Sequence, residues 1–155
     1  MGIHLALIEP EIPPNTGNVA RLCAATGTVL HLVGRLGFRL DDRSLRRAGI
    51  DYWPAVEWRR HVSFDDFEMA IAPARLICFS AHAERLYTGT RYQDGDCLVF
   101  GSESRGLPQA LLERFRETAV TIPMPGKSAP QVRSLNLSTA AGIGLYEALR
   151  QVHGW

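Results

Sequence analysis

Apolar positions in this chain fall into short uninterrupted runs, separated by stretches where they recur at three- and four-residue intervals. Five runs have strand length: IHLALI (3–8), VLHLV (29–33), RLICFS (75–80), CLVF (97–100) and AVTI (119–122). The segments between them carry helix punctuation. Asn15 or Thr16 is expected to cap a helix that runs to Thr26 and stops at Gly27, and Asp41 or Asp42 to cap a short one stopped at Gly49. Ser63 precedes Asp66 in a capping-box-like arrangement ahead of Phe67, Ala70 and Ile71, and Pro108 suits the first turn of PQALLERFR. The last helix is expected from Asn136 or Ser138 to about Val152. This alternation predicts one α/β domain over residues 1–155, a mostly parallel sheet flanked by helices. Ligands of such sheets gather at the carboxyl ends of the strands. Four stretches stand there: EPEIPPNTGN, FSAHAE, FGSESRGLP and IPMPG.

The 155 residues, 46% of them apolar, suffice for a single packed core. No apolar run approaches the roughly 18 residues a membrane span needs, and the N-terminal MGIHLALIEPEIPP lacks a signal-like pattern, so a cytoplasmic location without membrane partners is expected. Cys23, Cys78 and Cys97 sit among apolar neighbours without C-x-x-C spacing and read as buried free thiols. The five histidines show no ligand spacing, and no metal is expected. A net charge of +1 excludes a polybasic coat for nucleic acid. Sixteen of the 17 cations are arginine, the side chain that grips phosphate bidentately; a GC-rich genome explains this bias equally well.

Three stretches could carry chemistry. In NTGNVARLCAATG, Asn15, Asn18 and Arg21 step by three into a polar ribbon while Val19, Leu22 and Cys23 face a core; a capped helix with a solvated arginine accounts for the same pattern. In LVFGSESRGLP, Gly101 and Gly106 match P-loop spacing, but Leu107 and Pro108 stand where lysine and a hydroxyl are required. A dinucleotide fingerprint after the first strand is absent as well. What remains is a glycine-permissive turn beside Glu103 and Arg105, which could equally form a surface ion pair. In IPMPGKSAPQVRSLNLSTAAGIGLYEALR, three prolines and Gly126 hold an irregular loop, and Gly142 and Gly144 crowd the final helix. Glycine inside a helix costs about 1 kcal/mol relative to alanine, so another backbone is expected to pass close by, in a dimer interface or in tight chain packing.

In this order the three stretches resemble the signature motifs of the SPOUT superfamily of knotted RNA methyltransferases. The resemblance spans roughly residues 3–150. EPEIPPNTGN, DDRSLRRAGIDYW and YQDGDCLVFG are similar to the minimal-length bacterial enzymes that 2′-O-methylate the wobble nucleotide, cytidine or modified uridine, of leucine tRNAs. It implies a C-terminal deep trefoil knot, a homodimer and S-adenosylmethionine bound by the knot loops. Motif by motif, it assigns cofactor binding to Phe79, Gly101, Ile122 and Ser134, with Met124 and Leu135 as pocket neighbours. Phe79 and Ile122 would sandwich the adenine, and glycine at 101 would let the backbone approach the adenosyl group.

The resemblance also implies a catalytic set of Arg21, Asn15, Glu103 and Asn136. In related enzymes the arginine of the first motif has been proposed as a base. A guanidinium stays protonated in proteins, so an electrostatic role for Arg21 is expected, with Asn15 orienting it and Glu103 and Asn136 holding substrate or cofactor in line. RNA contacts are expected from Arg43, Arg46, Arg47, Arg133 and Lys127, with Tyr146 either touching substrate or packing a dimer. Methylation of another RNA position, or RNA binding without catalysis, stays open.

Overall fold

The computed structural model of the chain describes residues 2–40, 43, 53–126 and 132–155. Its strands are β1 (His4–Ile8), β2 (Val29–Val33), β3 (Trp58–His61), β4 (Leu76–Cys78), β5 (Arg85–Leu86), β6 (Cys97–Phe100) and β7 (Val120–Thr121). The helices are α1 (Pro13–Thr26), α2 (Phe64–Ile71), α3 (Gln109–Arg114) and α4 (Leu137–His153). Five strands form one parallel sheet in the order β3-β2-β1-β6-β4, and β5 pairs with β7 in a second, two-stranded parallel sheet. The predicted α/β class and all five apolar runs are therefore found. The helix expected from Asp41 or Asp42 to Gly49 lies outside the described residues. Among those residues, no helix is long and apolar enough to cross a membrane.

Side chains of the inner strands β1, β2 and β6 alternate between two cores. Leu5 and Leu7 of β1, Leu30 and Leu32 of β2, and Leu98 and Phe100 of β6 meet α1 and α4 through Val19, Cys23, Ala141 and Leu145. Ala6, Ile8, Val33, Cys78 and Val99 point the other way, against Phe67 of α2 and Leu107. Each fully buried leucine or phenylalanine contributes on the order of 2 kcal/mol. Cys23, Cys78 and Cys97 are buried free thiols, as expected.

Two helix expectations change. α1 begins at Pro13, so Asn15 and Thr16 lie inside it and the extended residue before it is Ile12, whose side chain caps nothing. Gly27 ends the helix in a left-handed conformation, as its position predicts. Among the described residues, the nearest neighbours of the α4 glycines are not backbone. A Cβ at Gly144 would stand 2.7 Å from the Phe79 ring, while one at Gly142 would meet nothing within 4 Å. Ser63 and Asn136 cap α2 and α4 as expected.

A buried ladder of imidazoles crosses β1, β2 and β3. His4 Nδ1 lies 2.8 Å from His31 Nε2, and His31 Nδ1 lies 2.9 Å from His61 Nε2, with Phe67 packed against the last two rings. Each of the two links holds a single proton, so both links are satisfied with all three rings neutral. Burial pushes His31 down to about 3, helped by its two imidazole neighbours and Arg59; burial and then Arg59 also lower His4 and His61. Unfolded histidines take up protons near pH 6.5, which these folded ones resist. The ladder's stability is thus present above pH 6.5 and is lost as pH falls toward 3. Between pH 7 and pH 5 His31 alone should cost about 2 kcal/mol of stability. A urea midpoint that stays flat over that interval would contradict this.

Candidate active site

The strand order reverses direction at β1: the chain runs outward through β2 and β3, then returns to fill β4 and β6 on the other side. The carboxyl ends of β1 and β6 therefore border the crevice in which α/β sheets bind ligands. Three loops meet there, 9–12 after β1, 101–107 after β6 and, after β7, the described residues 122–126 and 132–136. The last arrives because β7 pairs with β5 and bridges from Val120 to Phe79, just beyond β4.

A chain of polar contacts ties the three loops together. The Glu103 carboxylate accepts the backbone N–H groups of Glu11 and Ile12, both at 2.8 Å, and the Asn15 amide at 3.1 Å. It thereby serves the α1 N-terminus, which has no capping side chain of its own and whose partial positive charge favours an anion. Asn15, only 6% exposed, accepts in turn from the Asn136 amide at 3.0 Å. The Asn136 side-chain oxygen receives the N–H groups of Ser138 and Thr139, capping α4. Glu103 therefore forms no surface ion pair with Arg105. Its lone pairs are spent on joining the first motif to the second, and Asn136 joins both to the third.

The turn in 101–107 closes on itself. Ser102 and Gly106 exchange backbone bonds of 3.3 and 2.9 Å. A Cβ at Gly101 would stand 2.1 Å from the Gly106 carbonyl carbon. The close approach that glycine permits here is thus that of the loop's own far limb.

These elements enclose a cleft of about 430 Å3, within the range of small-molecule sites. Phe79, Gly101, Ile122, Met124, Ser134 and Leu135 all line it, as do Glu103, Asn15 and Asn136. Phe79 is stacked on Phe100 with ring centroids 4.6 Å apart and is 7% exposed, so its ring offers the cleft little surface. Arg133 and Arg105 stand on the wall, and so does His82, which no spacing signal in the sequence marked out. Arg21 is exposed on α1, and Tyr146 is exposed on α4; neither lines the cleft. Arg43 is exposed, while Arg46, Arg47 and Lys127 lie outside the described residues.

The chain matches the SpoU rRNA methylase family over residues 2–146. It is 48% identical over 151 residues to the tRNA (cytidine(34)-2′-O)-methyltransferase of Burkholderia cenocepacia, covering 96% of this chain and 94% of that protein. A solved structure concerned with the 2-OH methylation of C/U34 on tRNA superposes with a TM-score of 0.90 at 51% identity, covering 99% of this chain and 97% of the other. The AdoMet-bound rRNA methyltransferase of Sinorhizobium meliloti superposes with a TM-score of 0.80 at 27% identity, over 96% of this chain and 56% of that one. With a match that spans nearly the whole sequence, and a cleft assembled from the three loops that carry the resemblance, the chain belongs to the SpoU methylase family and has the SPOUT fold.

Proposed function

We propose that this chain is an S-adenosylmethionine-dependent tRNA methyltransferase acting on the ribose 2′-oxygen of the wobble nucleotide, position 34, of leucine tRNAs, with cytidine or modified uridine as the base. The names of its relatives support the position and the reaction. The observation that carries the reading is the bonded series Glu103, Asn15 and Asn136, which gathers three distant loops around one cleft. The cleft's residues suit the cofactor. Ile122 and Leu135 offer apolar surface to a base and a methylene chain, Ser134 offers a hydroxyl, and no phosphate has to be held.

Bound there, S-adenosylmethionine supplies a methyl group already activated on a sulfonium, so the protein's task is positioning. A ribose hydroxyl is a poor nucleophile until its developing negative charge is stabilised. Arg21 is assigned to that charge and to the neighbouring phosphate, as a permanent cation rather than a base. Its exposed position on α1, outside the lining of its own cleft, supports action across a homodimer. Asn15, Glu103 and Asn136 hold the geometry of the site. Tyr146 and Trp155, exposed near the end of α4, are candidate dimer-packing surface. The cytoplasm is the proposed location, and threading of the C-terminal segment into a trefoil knot is proposed from the family likeness.

Arg43, Arg46, Arg47, Lys127 and Arg133 are assigned to the anticodon loop, whose unstacked bases and 2′-hydroxyls a small protein can read. Each phosphate contact steepens the salt dependence of binding, so if all five cations contact phosphate, affinity for tRNA should fall about a hundredfold between 50 and 200 mM salt. The function is tested by incubating the protein with labelled S-adenosylmethionine and tRNA, then mapping the label by nuclease digestion. Label confined to the 2′-oxygen at position 34 is expected; label elsewhere, or none, refutes the assignment.

A further inference from the structure

The loop after β1 and the loop after β6 hold each other from both sides. Glu103 receives two amides of the 9–12 loop, and the 9–12 loop answers through Glu11. One oxygen of the Glu11 carboxylate accepts the Ser104 backbone N–H at 2.9 Å and the Ser104 hydroxyl at 2.6 Å. The two Ser104 bonds hold the Glu11 carboxyl below its ordinary range, with smaller contributions from the Ser102 hydroxyl and then Arg105. Ser104 stands on the wall of the cleft and Glu11 does not. Glu11 therefore acts on the site at one remove, its carboxylate through Ser104 and Ser102 and its backbone N–H through Glu103.

Its own position is fixed from behind. The Gly37 N–H donates to the Pro10 carbonyl at 2.9 Å, and a Cβ at Gly37 would stand 2.8 Å from both Cα and the carbonyl oxygen of Glu11. Those are backbone atoms, which cannot turn aside as the end of a flexible side chain can. The 34–37 turn after β2 thus backs Glu11, and Glu11 backs Ser104.

We propose that Glu11 is a positioning residue of the S-adenosylmethionine cleft, holding the Ser104 wall in its binding geometry while touching no ligand itself. This inference rests on the reading of that cleft as the cofactor site. Charge-assisted bonds of this kind are strong enough that losing the pair should weaken binding about tenfold.

The test is calorimetric titration with S-adenosylhomocysteine of the native chain, Glu11→Ala, Glu11→Gln and Gly37→Ala, with unfolding midpoints measured without ligand. Glu11→Ala is expected to bind about tenfold more weakly, and Glu11→Gln only about threefold, because the amide oxygen still accepts both Ser104 donors but without the charge. Gly37→Ala is expected to bind several-fold more weakly although position 37 lies outside the cleft lining. Midpoints close to native in the two Glu11 variants separate positioning from loss of fold. Native-like binding by Glu11→Ala or Gly37→Ala overturns the inference alone, as does an equal loss in the alanine and glutamine variants that tracks their midpoints. A native chain that does not bind overturns the cleft reading and the inference together.

Discussion

Arg21→Ala is expected to reduce methyl transfer to tRNA by about 10²- to 10³-fold, the usual cost of removing one group that stabilises a developing oxyanion. S-adenosylhomocysteine should still bind within about twofold of native, because Arg21 is exposed on α1 and lines no part of its own chain's cleft. Arg21→Lys should recover part of the rate: it restores a cation but not the planar fork that grips phosphate. Single-turnover rates and calorimetry on the same samples check both halves. Rate and cofactor affinity lost in parallel would make Arg21 a structural support of the cleft, and unchanged turnover would remove it from the chemistry.

What the sequence disclosed follows the range of each interaction. The runs that became β1, β2, β4, β6 and β7 were readable because burial between helices demands uninterrupted apolar residues. Strands β3 and β5 were missed: WRRH lies at the sheet edge, where Arg59 and Arg60 turn outward and no apolar alternation forms, and β5 is two exposed residues long. The start of α1 was misplaced for a related reason. Asn15 is a favoured capping residue, yet the anion that serves this helix end is Glu103, 91 residues beyond Ile12. No local pattern announces such a partner.

The site shows the same division. The three loops could be singled out as strand ends with unusual glycine, proline and asparagine content, and the structure brings them to one cleft. Their mutual bonds could not be read. Asn15 was expected to orient Arg21, and Glu103 and Asn136 to hold substrate or cofactor in line; the hydrogen bonds among the three residues and from them to helix ends were not foreseen. The imidazole ladder joins His4, His31 and His61 across three strands, at separations of 27 and 30 residues with no ligand-like spacing. The glycine pair in α4 was legible as close packing but not as to its partner, which at Gly144 is an aromatic ring delivered by the residue after β4.

Gly101→Ala is expected to be the most damaging single methyl group that can be added near the cleft. Its Cβ would lie 2.1 Å from the Gly106 carbonyl carbon and 2.2 Å from the Leu107 nitrogen, distances that neither a rotamer change nor a side-chain shift can relieve. The loop could yield only by breaking the Ser102–Gly106 pair and withdrawing Leu107, which is 7% exposed and packed in the core beneath the sheet. Overpacking ordinarily costs about 1–3 kcal/mol, and a clash with backbone at the end of a fully buried central strand should reach the top of that range. For a chain of this size that lowers the unfolding midpoint by about 10 °C. Displacing this wall should also abolish detectable S-adenosylhomocysteine binding. Gly106→Ala supplies the graded comparison: its φ of +67° is costly for alanine, but the added Cβ would meet nothing within 4 Å. That variant should lose only about 1–2 kcal/mol and keep binding. A Gly101→Ala protein with native affinity and midpoint would show that the loop opens freely, and that its closed form does not shape the cleft.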